Sequence, residues 1–176
     1  DEFIILNGKF TNVNQLLNVY SRMDSFALNW LYFGSNNFVN DPSGLILENY
    51  TKSNKLLDKH VKTFVRPDVV TKCINPHYYN IINPYKMTAI QGTILKPHYY
   101  FNNIKLHFKY APAYIAHYLY QSEETYLHRK IKKMGDDGHQ RKNIGKEIHE
   151  RHNEVENVQP QKYVKRIKEL LNYYEK

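Results

Sequence analysis

Nine histidines and a single cysteine are the side chains of this 176-residue chain best suited to metal or nucleophile chemistry. Two histidines stand out by context: His77 in Asn75-Pro76-His77-Tyr78 and His117 in Ile115-Ala116-His117-Tyr118, each flanked by strand-forming residues and followed by Tyr. A histidine at a strand end can point into a cleft and serve a metal or diphosphate site. It can equally sit in the core with its ring bonded to a carbonyl, and spacing alone favours the core. His149-Glu150-Arg151-His152 carries its histidines at i and i+3 instead of the i, i+4 spacing of a helical zinc site, and reads as surface. Neither the P-loop pattern nor GxGxxG occurs, which argues against a self-contained nucleotide-binding module. No Ser or Cys has a nucleophile-elbow context. Cys73, followed by Ile, reads as a small buried hydrophobe, and a lone cysteine forms no internal disulfide.

The length suits one domain with one core, and 41% hydrophobic with 24% charged residues is a globular composition. Tyrosine dominates the aromatics, with 16 Tyr and 8 Phe against one Trp. Because a phenol wants one apolar side and one wet tip, this points to a half-buried surface lined with rings. Asparagine is abundant but carries no chemistry by itself. The net charge of +8 invites a nucleic-acid reading, yet the excess is spread along the chain, +5 over residues 1–117 and +3 over 118–176. The one dense cluster, His128-Arg129-Lys130-Ile131-Lys132-Lys133, reads as a solvated helix face. Every apolar run is interrupted within a few residues, so no membrane segment is expected.

These residues need elements to hold them. Phe3 to Leu6, ended by Asn7-Gly8, predicts a buried strand. Thr11 or Asn12 can cap a helix with apolar positions Val13, Leu16, Leu17 and Tyr20. Phe26 to Phe33 predicts a second strand, and this strand, helix, strand order suits a mainly parallel α/β sheet. Residues 34–44 are loop chemistry. Leu45 to Leu57 reads as a short helix, His60 to Val65 as a strand, Lys72 to Tyr79 as a strand-like piece, and Asn83 to Pro97 is unreadable. Ile104 to Tyr110 alternates strictly, which predicts a half-exposed strand, and Tyr114 to Tyr118 a further one. Ser122 with Glu123 and Glu124 starts a helix running toward Gly135, residues 138–158 are partly helical, and Pro160 opens a last helix. The stripe Tyr163, Ile167, Leu170, Leu171 and Tyr174 on that helix should dock on the body of the domain.

In this order the chain carries Asp1-Glu2-Phe3-Ile4, Asn29-Trp30-Leu31-Tyr32-Phe33-Gly34-Ser35, Leu47-Glu48-Asn49-Tyr50, Lys62-Thr63-Phe64-Val65-Arg66-Pro67, Pro76-His77 and His117-Tyr118 with Gln121-Ser122-Glu123-Glu124. Together these segments resemble glycosyltransferase family 92 and related family-2-like enzymes, from Asp1 to about Lys130, and more weakly through Asn153-Glu154-Val155-Glu156. The resemblance implies an α/β fold: an incomplete GT-A-like, Rossmann-related mixed sheet with C-terminal helices. Residues 1–120 would be the acceptor-side portion of the domain and 121–176 its C-terminal helical segment.

The implied activity is metal-dependent transfer of a sugar from a nucleotide-sugar donor to a glycan or protein acceptor. Mn²⁺ or Mg²⁺ would bridge Asp-x-Asp carboxylates and the donor diphosphate, where hard oxygen ligands suit such an ion. Asp1 matches the last Asp of that motif, the first falling two residues upstream, and His117 matches a late family histidine that completes the metal or diphosphate shell. Ser35, Arg66 and His77 fall on the cofactor-binding side, with Phe33-Gly34-Ser35 opening the acceptor-facing loop. Glu48 or Asp41 could take the acceptor's proton in an inverting reaction. Glu48 reads at least as well as a helix-surface carboxylate. Two departures fall near the donor: Ala116 stands where Asn precedes His-Tyr, and Gln121 where Arg precedes the Ser. Tyr78, Tyr79, Tyr99, Tyr100, Tyr118 and Tyr120 could stack on sugar faces, with core packing as their default. Two other classes stay open on the residues alone, a basic aromatic-rich nucleic-acid module and a sugar-binding domain without catalysis.

Overall fold

Ser25–Tyr32 (β2) is buried at every residue but its last, as expected of a mostly apolar run covered on both faces. In the computed structural model, which describes residues 1–8, 10–89, 101–133 and 147–174, this strand organises a five-stranded sheet. The order is Glu2–Leu6 (β1), Ala113–His117 (β8), β2, Val61–Val65 (β4), and Met87–Ala89 (β7) also pairs with β2. The β2–β4 pairing is antiparallel and the β2–β7 pairing parallel. The α/β class expected from the sequence is therefore present. The sheet mixes parallel and antiparallel strands, and β8, from late in the chain, inserts between β1 and β2.

The chain divides into two compact units. The sheet unit comprises Glu2–Leu31 and Leu56–Ala116, and the other, here the C-terminal unit, comprises Asp1, Tyr32–Lys55 and His117–Lys176. In the sheet unit, Val13–Val19 (α1) starts at Asn12, whose Oδ1 accepts the Gln15 N–H at 3.0 Å while Gln15 Oε1 accepts the Thr11 N–H at 2.8 Å. Ala27, Val61, Tyr78, Ile81, Met87 and Ala89 form its core cluster. The single tryptophan, Trp30, is 8% exposed; His60 stacks on it at 5.2 Å, His77 meets it edge-on at 5.1 Å, and Lys62 Nζ lies 5.6 Å from its ring centre.

Two expected strands of this unit take other forms. The piece from Lys72 to Tyr79 is a hairpin, Val70–Asn75 (β5) with Tyr78–Ile81 (β6). Pro76 cannot donate to a ladder, and Asn75 Oδ1 accepts the His77 N–H at 2.8 Å to close the turn. Cys73, on the open hairpin, is exposed instead of buried. The alternating run Ile104 to Tyr110 is irregular and ends in a 3₁₀ turn, Phe108–Tyr110. Asn7 Nδ2 donates to the Phe108 and Ala111 carbonyls at 3.0 Å each, engaging acceptors that a strand would offer to a neighbour.

In the C-terminal unit the helix expected over Leu45 to Leu57 is only Ile46–Asn49 (α2), after which Lys52–Ser53 (β3) pairs with Val155–Glu156 (β9). Ser122 caps Glu123–Tyr126 (α3), accepting the Thr125 N–H, and the chain continues as a π-helical turn, Leu127–Ile131. Glu147–Glu150 (α4) follows, and a 3₁₀ turn at Gln159–Tyr163 leads into Val164–Tyr174 (α5). The expected apolar stripe docks only in part: Tyr163 and Ile167 are half-buried, whereas Leu170 and Leu171 are exposed. Polar bonds also hold this segment, Lys168 Nζ to Glu48 Oε1 at 2.7 Å and Gln161 Nε2 to the Glu48 carbonyl at 3.0 Å. Residues 90–97 of the unreadable stretch, the expected helix end near Gly135 and residues 138–146 lie outside the described residues, as do Tyr99 and Tyr100. Among the described residues, no helix is long and apolar enough to cross a membrane.

One buried polar link fixes the middle of β2. Asn29, fully buried, donates from Nδ2 to the carbonyls of Asp58 (2.8 Å) and Asn102 (2.9 Å), and accepts from Asn102 Nδ2 at 2.8 Å. Asn29→Leu leaves those groups unpaired in the interior. We expect a loss of about 2–4 kcal/mol, read as a lower urea midpoint at unchanged slope.

Candidate metal and acceptor site

The last residues of β2 and β8 belong to the C-terminal unit, and backbone pairing carries on past them. Phe33 N–H donates to the His117 carbonyl at 3.0 Å, and Tyr118 N–H donates to the Asp1 carbonyl at 2.8 Å. This brings an Asp1 carboxylate oxygen and a His117 ring nitrogen within 4.8 Å of each other. His117 is 7% exposed, and the Tyr32 ring, centred 5.3 Å away, limits its tilt. The rings continue as a column: Tyr32 stacks on His152 at 4.6 Å, and His152 on Tyr120 at 5.3 Å. Arg129, on the π-helical turn, places Nη2 3.1 Å from Asp1 Oδ2. A carboxylate oxygen beside a neutral imidazole fits two positions in the shell of a divalent ion such as Mn²⁺, which accepts both donor types.

Beside this corner runs the loop 34–41. Asn36 and Asn37 have φ of 50° and 62°, left-handed values that cost a non-glycine residue energy unless its surroundings impose them. Asn36 is held on every side: its Nδ2 donates to the Asn49 carbonyl and Thr51 Oγ1, its Oδ1 accepts the Lys52 N–H, and its own N–H donates to Asn153 Oδ1. Gly34 is required by space, because a Cβ there would lie 2.4 Å from Asn153 Oδ1 and 2.8 Å from the Arg151 carbonyl oxygen.

Ser35 is fully buried, and its Oγ lies 2.7 Å from His149 Nδ1. His149 Nε2 lies 2.6 Å from Glu123 Oε1. With Nε2–H donating to the carboxylate, Nδ1 accepts the serine proton, and Ser35 Oγ accepts the Asn37 N–H at 3.2 Å. The three residue types are those of a hydrolase triad, but this hydroxyl is closed off from any substrate. The relay ties the loop to α3 and α4. His149 and His152, expected at the surface, therefore pack inward; His152 reaches the ring column through a left-handed φ of 62°.

The two expected bases are both engaged. The Asp41 carboxylate accepts from Ser122 Oγ and from Thr125 Oγ1, the latter at 2.6 Å, and these hydroxyls, Ser122 first, hold its pKa below the ordinary 3.8. The Tyr50 hydroxyl accepts the Ser122 N–H at 3.0 Å, and burial pushes its phenol pKa up. Glu48 is bonded to Lys168, whose hydrogen bond holds the Glu48 pKa down, and it takes the helix-surface position.

Ser35, Asp41, Glu48, Asp1 and His117 thus share one unit, whereas Arg66 and His77 belong to the sheet unit. Arg66 lines a cavity of about 450 Å³ together with Tyr20, Phe26 and Phe64. His77 Nδ1 bonds the Val61 carbonyl at 2.8 Å, and burial lowers its pKa, the situation of a core imidazole. Tyr78, Tyr118 and Tyr120 are core side chains and Tyr79 is half-buried. Sequence reasoning missed Arg129 and His149. Both lie in clusters visible in the sequence, and only the fold shows that Arg129 reaches Asp1 and that His149 packs between Ser35 and Glu123. Compared with protein-family models, curated proteins and solved structures, the chain matches none.

Ser122 both caps α3 and bonds Asp41, so Ser122→Ala should cost about 1 kcal/mol at neutral pH. Because folding lowers the Asp41 pKa, its contribution is complete above the ordinary 3.8 and lost as pH falls through the lower folded value. Chemical denaturation from about pH 5 to pH 2 should show a shallower acid-side decline in the variant. An identical decline would remove Asp41 from the account.

Proposed function

We propose that this chain is the acceptor-side portion of a metal-dependent glycosyltransferase that transfers a sugar from a nucleotide-sugar donor to a glycan or glycoprotein acceptor. One observation carries the reading: Asp1 and the buried His117, the two residues matched by the resemblance to a metal shell, converge within 4.8 Å although 116 positions separate them in the sequence. A divalent ion held there would neutralise charge on the departing diphosphate.

The chain's own residues supply the surroundings. Asp1 offers a hard, negative oxygen, and His117 a nitrogen whose ring is oriented by Tyr32. The rigid loop beginning at Gly34 presents Asp41 beside a small cavity of about 170 Å³, lined also by Asn49, Tyr50, Gln121 and Thr125. Asp41 can take an acceptor proton only when the acceptor hydroxyl replaces Ser122 or Thr125 as its partner, because both favour the ionised form. Glu48 would first have to give up Lys168. Asp41 is therefore the better placed of the two, and Ser35 serves by fixing the loop.

Binding tests the metal step directly. In the protein at its natural length, Mn²⁺ titrations followed by electron paramagnetic resonance should show affinity weakened at least about tenfold by His117→Ala and by Asp1→Asn. Unchanged affinity in both variants would reject this corner as the metal site.

A further inference from the structure

We propose that Arg129 is a diphosphate-binding residue that exchanges partners: it pairs with Asp1 in the absence of metal and turns to the ligand's diphosphate when a divalent cation takes Asp1. The inference rests on the metal reading given above and adds to it a residue and a coupling.

Three observations carry it. Arg129 Nη2 lies 3.1 Å from Asp1 Oδ2, the oxygen-bearing group a cation would need. A divalent ion bound to the same carboxylate weakens this pair, since the two positive charges repel each other at short range and the ion draws on the same negative charge. The pair is also weakly held: the Arg129 side chain is 41% exposed, and exposed pairs of this kind add little stability. Finally, Arg129 sits at the centre of the π-helical turn Leu127–Ile131, a local departure from α-geometry, directly after a helix anchored at Ser122.

The planar fork of a guanidinium matches two phosphate oxygens, which a lysine ammonium cannot do. Arg129 makes and breaks no covalent bond in this scheme. It supplies positive charge to the phosphate oxygens while the donor is bound, and it returns to Asp1 when metal and nucleotide leave. Metal and Arg129 therefore compete for Asp1, whereas Arg129 and metal cooperate on the diphosphate.

This opposition gives a test independent of turnover. In the protein at its natural length, Mn²⁺ affinity without nucleotide and uridine diphosphate affinity at saturating Mn²⁺ are measured for the wild type, Arg129→Ala, Arg129→Lys and Lys133→Ala. Lys133, exposed a few residues on, controls for simple loss of charge. Arg129→Ala should bind Mn²⁺ about 2- to 5-fold more tightly, as removal of a surface ion-pair competitor allows, and uridine diphosphate about tenfold or more weakly. Arg129→Lys should keep only part of the diphosphate affinity, and Lys133→Ala should change neither value by more than about twofold. Wild type and Arg129→Ala binding Mn²⁺ equally would overturn the exchange and leave the metal site standing. Equal effects of Lys133→Ala and Arg129→Ala would overturn it as a diffuse charge effect. No Mn²⁺ binding by the wild type would bring down the metal reading and this inference together.

Discussion

Two main-chain hydrogen bonds, from Tyr118 N–H to the Asp1 carbonyl and from Phe33 N–H to the His117 carbonyl, hold together everything of chemical interest in the C-terminal unit. They place Asp1, Phe33 and the consecutive His117 and Tyr118 in one ladder. Because backbone groups form it, side-chain changes at Asp1 or His117 can alter the chemistry without dissolving the arrangement. The imidazole inherits its position from this ladder, Arg129 finds its anion there, and the loop 34–41 departs from it.

Beyond the ladder, the site is held mostly by amides and hydroxyls. Asn36, Asn153, Ser35, His149 and Glu123 make a continuous set of bonds around the loop, and Ser122 and Thr125 fix Asp41. The asparagines that composition alone left without a role turn out to be structural joints: Asn12 caps a helix, Asn7 captures two carbonyls, and Asn29 and Asn102 bond each other in the interior. Directional bonds of this sort define a single loop geometry more sharply than apolar contacts of the same extent, since a shifted residue leaves a buried group unpaired.

The parts legible in the sequence were those governed by local physics. The runs ending at Leu6 and Tyr32, the strand before Arg66-Pro67, and the caps at Asn12 and Ser122 all follow from apolar patterning and side-chain capping. What was illegible depended on partners distant in sequence. The alternation from Ile104 to Tyr110 is as good a strand pattern as any in the chain, yet Asn7 engages the Phe108 carbonyl within it and the Ala111 carbonyl just beyond. The stripe on α5 predicts a docked helix, yet Lys168 and Gln161 reach Glu48 while the leucines stay exposed. At the site, the 116 positions separating Asp1 and His117 gave no hint of their proximity beyond the motif order. The inward position of His152 goes with its own left-handed φ, which no periodicity announces.

The position of Trp30 has an optical consequence. As the one indole of the chain, buried on β2 with His60 stacked on it and His77 at its edge, it reports on the sheet unit alone. Tryptophan emission then follows the loosening of that unit, while tyrosines, which both units contain, follow the chain more broadly. One fluorimeter reading at two excitation wavelengths can thus separate events in the sheet unit from events around Asp1 and His117, with no label attached.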